Sequence, residues 1–465
     1  MIRVFGYYVS GINLVLGIVE ALLFYGALSL GAYVRFGWSL PTDVAACAIC
    51  VTGAIFAVVM SLSVISMGLY QRGVHDREAG FVVRLSFAFV IATALLALLF
   101  YLFPSLAMGR GVLGLALAFS FVGVVLVREV FARIAGAESQ KRRVLVLGAG
   151  VNAQRISELA EAKRNLGFCV VGYVALPRSQ RLVNNDKVLP HEASLLELAI
   201  ANAVDEIVVA ADDRRHKLPV GELLDCKMSG FEVLDLLTFF EKEFAVVKID
   251  LLHPSWIFFS QSGFRLGVTG LYGKRLLDLL LASIMLTLAA PVMTLVAIAS
   301  MIESRGRDPV LYHQIRVGQS GMPFRVHKFR SMRVDAEADG RARWASQNDA
   351  RITRLGGLLR RTRLDELPQL FNVLRGQMSL VGPRPERPEF VEQLAAGIPF
   401  YAERHRVKPG VTGWAQLLYP YGSDEEDAKR KLEFDLYYVK HASVVLDLII
   451  LLQTVEVVLL GKGAR

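Results

Sequence analysis

The sequence predicts a membrane protein of α plus α/β class. A four-helix transmembrane bundle covers residues 1–135, a Rossmann-like α/β domain covers 140–255, and a mainly α monotopic domain covers 268–465, opening with a re-entrant membrane helix over 274–302. Three observations carry this expectation. Hydrophobic residues make up 54% of the 465-residue chain and mean hydropathy is +0.43, more than a soluble chain of this size needs. A glycine-rich turn follows a β-branched run directly in "KRRVLVLGAGVNAQRI" (141–156). The last third is rich in Arg and in Pro/Gly turns, and it follows an apolar stretch with a proline near its middle.

The bundle rests on four apolar stretches, at about Gly11–Val34, Val44–Leu69, Phe81–Leu102 and Gly111–Val127. Each is near the roughly 17–25 residues a spanning helix requires. The second connection carries Arg72, Arg77 and Arg84, and the stretch after the fourth helix carries Arg128, Arg133, Lys141, Arg142 and Arg143. The first and third connections hold only Arg35 and Arg110. By the positive-inside rule the block starts and ends in the cytoplasm. Glu20 lies inside the first span, where a carboxylate is costly. It implies either a helix–helix or functional contact, or a locally satisfied group. Cys47 and Cys50 form a CxxC within "AACAICVTGAIF" and read as buried filler, as Cys169 and Cys226 do. The start, "MIRVFGYYVSGINLVLG", has no small-residue cleavage site and reads as a retained anchor. The net charge of +9 suits anionic partners. No zinc-finger, homeodomain or RNA-binding signature is present, so membrane lipid and phosphorylated substrates come ahead of nucleic acid.

In the second segment, Val144–Leu147 reads as a strand, and Gly148, Gly150 and Ala153 form a GxGxxA turn into a helix. "GFCVVGYV" (167–174) and "VDEIVVAA" (204–211) read as further parallel strands. The chain after the second strand continues "ALPRSQR" without the acid that would bind a ribose. A structural or regulatory role is therefore preferred over dinucleotide binding. A nucleotide-sugar epimerase or dehydratase, the main rival enzyme, would need that acid and a Tyr-x-x-x-Lys pair, and the region has neither.

The fifth apolar stretch, 274–307, contains Pro291, which removes one helix hydrogen bond and predicts a kink. Lys274 and Arg275 precede it; Arg305 and Arg307 follow it. Cations at both ends favour a helix that enters the membrane, bends and leaves by the same face; a straight crossing is the alternative. The last apolar helix, 443–461, includes Asp447 and Glu456 and is as suited to lying on the membrane or packing on the domain as to spanning.

Basic stretches converge on this last domain. "PFRVHKFRSMR" (323–333) reads as a strand with Lys328 and Arg330 on one face, opposite Phe329. Arg360, Arg361 and Arg363 precede the pair Asp365–Glu366, and Arg384 lies between the two prolines of "VGPRPE" (381–386). Guanidinium forks match phosphate oxygens. Because Pro368 suits only a first helical turn, a helix should begin within a residue or two of Asp365. Asp365 could then be a helix cap, or a carboxylate held where phosphate is well bound. A carboxylate is ionised at neutral pH and can attack phosphorus without a base. The diphosphate charge must then be neutralised, which calls for Mg²⁺, arginine and lysine. The eight histidines show no HxxH or HxxxH ligand spacing.

"KFRSM", "LDELPQLFNVLRGQMSLVGPRPE" and "VKPGVTGWAQ", in this order after a proline-bent apolar helix, closely resemble the bacterial sugar transferase family over about 270–465. The preceding four helices and Rossmann-like domain are similar to its large form, and the C-terminal segment looks like the branch associated with exosortase-type exopolysaccharide systems. The resemblance implies a monotopic phosphoglycosyl transferase that moves a sugar-1-phosphate from a UDP-sugar to undecaprenyl phosphate at the bacterial inner membrane, with the catalytic domain facing the cytoplasm. It implies Asp365 as the nucleophile and Mg²⁺ contact, and Glu366 as its catalytic partner. Lys328, Arg360 and Arg384 are implied at the substrate and Pro291 at the bend, and Arg330 joins the substrate-binding candidates through the strand face it shares with Lys328. A homo-oligomer is compatible with it. The chain departs from the family in having Ala290 before Pro291 where a serine is common; Thr287, one turn earlier, is the candidate replacement for that hydroxyl.

Overall fold

The computed structural model describes residues 2–4, 7–9, 11–37, 43–70, 78–135, 141–162, 167–177, 180–190, 193–212, 218–252, 268–334, 336, 351–419 and 424–459. The Cys47–Cys50 side chains and the cations Arg72 and Arg77 lie outside them. Two compact units form. One comprises mainly 9–61 and 70–252; the other comprises 253–465 with the short segments 2–8 and 62–69.

The first unit begins, after the paired strands β1 (Ile2–Val4) and β2 (Tyr7–Val9), with helices α1 (Gly11–Phe36), α2 (Asp43–Ser66), α3 (Glu78–Leu102) and α4 (Arg110–Ala135). The portions Leu14–Phe36, Gly80–Leu102 and Arg110–Phe131 are long and apolar enough to cross a membrane, and α2 contributes an apolar run over Val51–Ser66. Glu20, at 0% exposure, meets Arg128 of α4: Nε donates to Oε1 at 2.6 Å and Nη2 to Oε2 at 3.1 Å. The Tyr70 hydroxyl also donates to Glu20, and the Arg128 guanidinium lies 5.0 Å from the Tyr70 ring centroid. Glu20 is thus a helix–helix contact. Arg128 belongs to this buried pair inside α4 and not to the flanking cations with which the sequence groups it.

The α/β part of this unit has five parallel strands: β3 (Arg142–Leu147), β4 (Phe168–Val174), β5 (Val188–Leu189), β6 (Glu206–Val209) and β7 (Glu232–Asp235). Their order, β5-β4-β3-β6-β7, has its switch at β3. Helices α5 (Val151–Ala162), α6 (Leu195–Ala201), α7 (Val220–Met228) and α8 (Leu236–Phe244) connect and follow them. Val144–Leu147 are fully buried, as a central parallel strand covered on both faces requires. Cys226 packs among Leu145, Leu195 and Ile207, in line with a filler role.

The second unit starts with one long helix, α9 (Val268–Glu303), with Pro291 inside it. Both of its ends rest on the same domain. At the start, Lys274 Nζ donates to Asp447 Oδ2 at 2.5 Å and to Val381 O at 3.1 Å, and Asp278 Oδ1 accepts from Ser379 Oγ and Leu380 N. At the end, Val296 packs with Phe329 and Leu359, and Glu303 Oε1 accepts from Leu355 N at 3.0 Å. Between Ala282 and Val296 no side chain is buried, and Leu288 and Leu295 are largely exposed. The Thr287 hydroxyl bonds Ser283 O, one turn earlier, so it is spent within the helix before the proline.

The domain itself holds the antiparallel hairpin β8 (Leu311–Val317) and β9 (Pro323–Phe329), then α10 (Arg354–Arg361) and α11 (Gln369–Leu374). Next come β10 (Ser379–Val381), α12 (Pro388–Gly397), β11 (Gly410–Thr412), α13 (Trp414–Leu418), α14 (Glu425–His441) and α15 (Val444–Leu459). The short strands β10 and β11 pair in parallel, Val381 against Thr412. α15 packs on the domain: Leu446 and Ile450 are fully buried, Asp447 pairs with Lys274, and Thr454 Oγ1 bonds Thr412 Oγ1 at 2.9 Å.

Candidate active site

The acid pair is delivered by a sharp change of chain direction. Thr353 caps α10, its hydroxyl accepting from Gly356 N at 2.9 Å, and the helix runs to Arg361. Arg363 then adopts a left-handed conformation, φ +60°, which costs of order 1–3 kcal/mol for a residue with a Cβ. A single 3₁₀ turn follows over Leu364–Glu366, and α11 begins only at Gln369, with Pro368 at its N-cap position. Neither the turn nor α11 has a side-chain cap. A helical turn thus begins within a residue of Asp365, as the proline suggests, the regular α-helix starts only at Gln369, and Asp365 caps neither. The strand β9 supplies Lys328 from the other side, while its neighbour Phe329 points into the core against Val296 and Leu359.

Asp365 and Glu366 are 8% and 9% exposed, and their surroundings separate them chemically. Glu366 Oε1 accepts from Lys328 Nζ at 2.9 Å and from Arg384 Nη2 at 2.7 Å. Burial raises the Glu366 carboxyl, but the Arg384 and Lys328 charges, each hydrogen-bonded to it, outweigh burial and hold it well below the ordinary carboxylate range. Asp365 makes no such bond among the described residues. Burial and the Glu366 charge raise its carboxyl, opposed by Lys328, Arg384 and Arg360. The result is one carboxylate locked by two cations and a second, beside it, left with open oxygens among cations. Arg360 adds a buried Nη1 that lacks a hydrogen-bond partner among the described residues.

Arg384 is held on several sides. Gly382 lies so close to the β11 end that a Cβ on it would fall 2.3 Å from Lys408 O. Only glycine allows the "VGPRP" and "KPGVTG" segments to meet there. Arg404 Nη2 donates to Arg384 O at 3.0 Å and pairs with the buried Asp435 at 2.7 Å, and Arg316 Nη1 donates to Pro385 O at 3.1 Å. The Arg384 side chain donates through Nη1 to Gln416 Oε1 at 3.1 Å, which turns Nη2 toward Glu366.

The residues expected at the site divide as follows. Lys328, Arg360 and Arg384 gather around Asp365 and Glu366. Arg330 does not: it is buried beyond β9, with Nη1 on Asp308 Oδ2 at 2.7 Å and Nε on Pro309 O at 2.9 Å. The alternation that put it beside Lys328 ends with the strand at Phe329. Pro291 lies within the exposed middle of α9. Arg404, one of the basic residues of "RHRVKPGVTGWAQ" (404–416) that the sequence offers for phosphate, instead supports Arg384 from behind, together with Gln416 and Asp435. Gln416 and Arg404 stand in motif-bearing stretches, but nothing local marks Asp435, which lies mid-helix in α14.

Comparison with known proteins places the chain among named relatives. A model of the bacterial sugar transferase family matches residues 269–461, and a CoA-binding domain model matches 66–215. The UDP-N-acetylgalactosamine-undecaprenyl-phosphate N-acetylgalactosaminephosphotransferase of Aeromonas hydrophila is 41% identical over 280 residues, 59% of this chain and 64% of its own length. The UDP-glucose:undecaprenyl-phosphate glucose-1-phosphate transferase of Escherichia coli (strain K12) is 37% identical over 329 residues, 70% of this chain and 69% of its own. The protein of the same name from Xanthomonas campestris pv. campestris is 33% identical over 369 residues, 76% of this chain and 75% of its own. With relatives of 37% and 33% identity matched over 69% and 75% of their own lengths, the chain belongs to the bacterial sugar transferase family.

Proposed function

We propose that this protein transfers a sugar-1-phosphate from a UDP-sugar to undecaprenyl phosphate, releasing UMP, as the first membrane step of exopolysaccharide or related glycan assembly. The observation that carries the reading is the asymmetry of the acid pair: Glu366 is doubly bonded to cations, while Asp365 is buried with open oxygens among Lys328, Arg360 and Arg384.

An Asp365 oxygen attacks the phosphorus next to the sugar, and the bond from that phosphorus to the bridging oxygen breaks, so UMP leaves with that oxygen. An oxygen of undecaprenyl phosphate then attacks the same phosphorus, the bond to Asp365 breaks, and the carboxylate is regenerated. Neither step needs a histidine. Lys328, Arg360 and Arg384 offset the diphosphate charge, and Glu366 keeps two of these cations in place.

Among the described residues no group of three or more metal-ligating side chains forms a cage. A lone carboxylate with open oxygens still fits Mg²⁺, which commonly takes one or two carboxylates and completes its shell with water and substrate phosphate. Asp365 would be that ligand, and bound Mg²⁺ would neutralise charge on the diphosphate.

The membrane arrangement is read from α9. A straight 36-residue helix would be about 54 Å long. Here both ends rest on the domain while the apolar middle around Pro291 stands clear. This supports a re-entrant helix whose apex enters the bilayer, leaving the site at headgroup level where a polyprenyl phosphate presents its phosphate. The distribution of loop cations supports a cytoplasmic site.

The test is UMP release from a UDP-sugar in nanodiscs containing undecaprenyl phosphate. Asp365→Asn should lower turnover at least about a thousandfold, and a radiolabelled sugar phosphate should remain on the wild-type protein when the acceptor is omitted. Undiminished turnover in Asp365→Asn would sink the assignment.

A further inference from the structure

The match to a CoA-binding domain model raises the question of what the glycine-rich turn between β3 and α5 holds. In a nucleotide-binding domain of this topology, the free N–H groups that open α5 face a diphosphate, and the second glycine lets the backbone approach it. In this chain those groups are already used. Asp212, just past β6, places Oδ1 2.9 Å from Asn152 N and Oδ2 3.1 Å from Val151 N. The Asn152 side chain returns a bond from Nδ2 to Ala211 O at 3.2 Å. A Cβ on Gly150 would fall 1.8 Å from Asp212 Oδ2 and 3.3 Å from Gln180 O. The close approach that Gly150 permits is thus made by the chain's own carboxylate. On the other side, Leu182 N donates to Ala149 O at 2.8 Å and ties the following segment across the turn. The end of β4 continues "ALP" (175–177), without a ribose-binding acid.

These contacts do not fit a CoA or dinucleotide diphosphate. Such a ligand would have to displace two hydrogen bonds to a charged acceptor, which are stronger than neutral ones, and would face the Asp212 charge while doing so. We infer that the Rossmann-like domain is a self-capped structural module: Asp212 fills the phosphate-binding turn and keeps the diphosphate of CoA or a dinucleotide out of it. A helix N-terminus favours an anion, and the segment just past β6 supplies one in cis. The inference stands independently of the chemistry proposed at Asp365.

Hydrogen exchange of the full-length protein in nanodiscs, followed at the Val151 and Asn152 amides, tests it with CoA, NAD⁺ or inorganic phosphate added. In the wild type none of the three should change exchange at these amides. In Asp212→Ala both amides should exchange about five- to tenfold faster, and inorganic phosphate should slow them again. Asp212→Asn, which keeps one acceptor, should fall between and serves if the alanine variant does not fold. Saturable protection of the two wild-type amides by CoA or NAD⁺ would overturn the inference. So would an Asp212 variant whose amides are unchanged, or are not protected again by phosphate.

Discussion

Arg384 Nη2 and Lys328 Nζ both donate to one oxygen of Glu366, at 2.7 and 2.9 Å. One atom therefore organises two cations, brought from a proline-braced loop and from a β-strand, beside the open carboxylate of Asp365. Arg384→Lys keeps the charge but cannot hold Glu366 and Gln416 together. It should lower kcat/KM for UMP release by about 10- to 100-fold. Combined with Glu366→Gln, the loss should be much less than the product of the two single losses, because both act through one bond. A double-mutant cycle on kcat/KM checks this.

The two carboxyls predict an asymmetric response to pH. Asp365 must be ionised to attack, and burial and Glu366 raise its carboxyl. Activity should therefore fall on acidification with an apparent pKa above the ordinary aspartate value of about 3.9. Removing an opposing cation, as in Arg360→Gln, should move this limb to higher pH. Glu366 has the opposite sign: its folded carboxyl is depressed, so its contribution to stability is present above the unfolded value of about 4.3 and is lost only as pH falls through the lower folded value. A kcat/KM profile set beside thermal unfolding across the same pH range separates the two.

Lys274 and Asp447 form a buried pair that joins the start of α9 to α15. Asp447→Asn leaves the Lys274 charge buried without its counter-charge and should destabilise the domain by about 3–5 kcal/mol. Lower thermal stability in detergent should be seen, with much smaller loss when Lys274→Met is added to Asp447→Asn.

In the bundle, Glu20 and Arg128 are both buried and pair across α1 and α4. Glu20→Ala should cost about 3–5 kcal/mol because Arg128 loses its counter-charge, and Glu20→Met with Arg128→Met should recover part of it. Size-exclusion profiles and detergent melting curves read the difference.

Asp435 holds Arg404, and Arg404 holds the Arg384 backbone. Asp435→Asn should therefore lower kcat/KM about tenfold without altering the apparent pKa of the acid limb, whereas direct loss of the Arg384 charge should move that limb. Comparing pH profiles of Asp435→Asn and Arg384→Gln distinguishes positioning from charge.

The sequence by itself determined whatever local composition and periodicity decide. Four apolar runs became α1–α4, β-branched runs flanking GxGxxA became a parallel sheet, and the motifs around "LDELPQ" identified the family. Lys328, Arg360 and Arg384 were legible because their motifs constrain the backbone within a few residues. Tertiary structure alone decided the partners of each charge. It drew Arg330 to Asp308, and it paired Arg128 with Glu20, 108 residues away. It put Asp212 in a turn that reads as a phosphate site, and it left Asp365 capping no helix while Glu366 took two cations. The physical reason is that residue type and spacing set what a side chain can do and which way the backbone prefers to run. Burial, and the long-range contact that neutralises or frees each charge, exist only once distant segments have met.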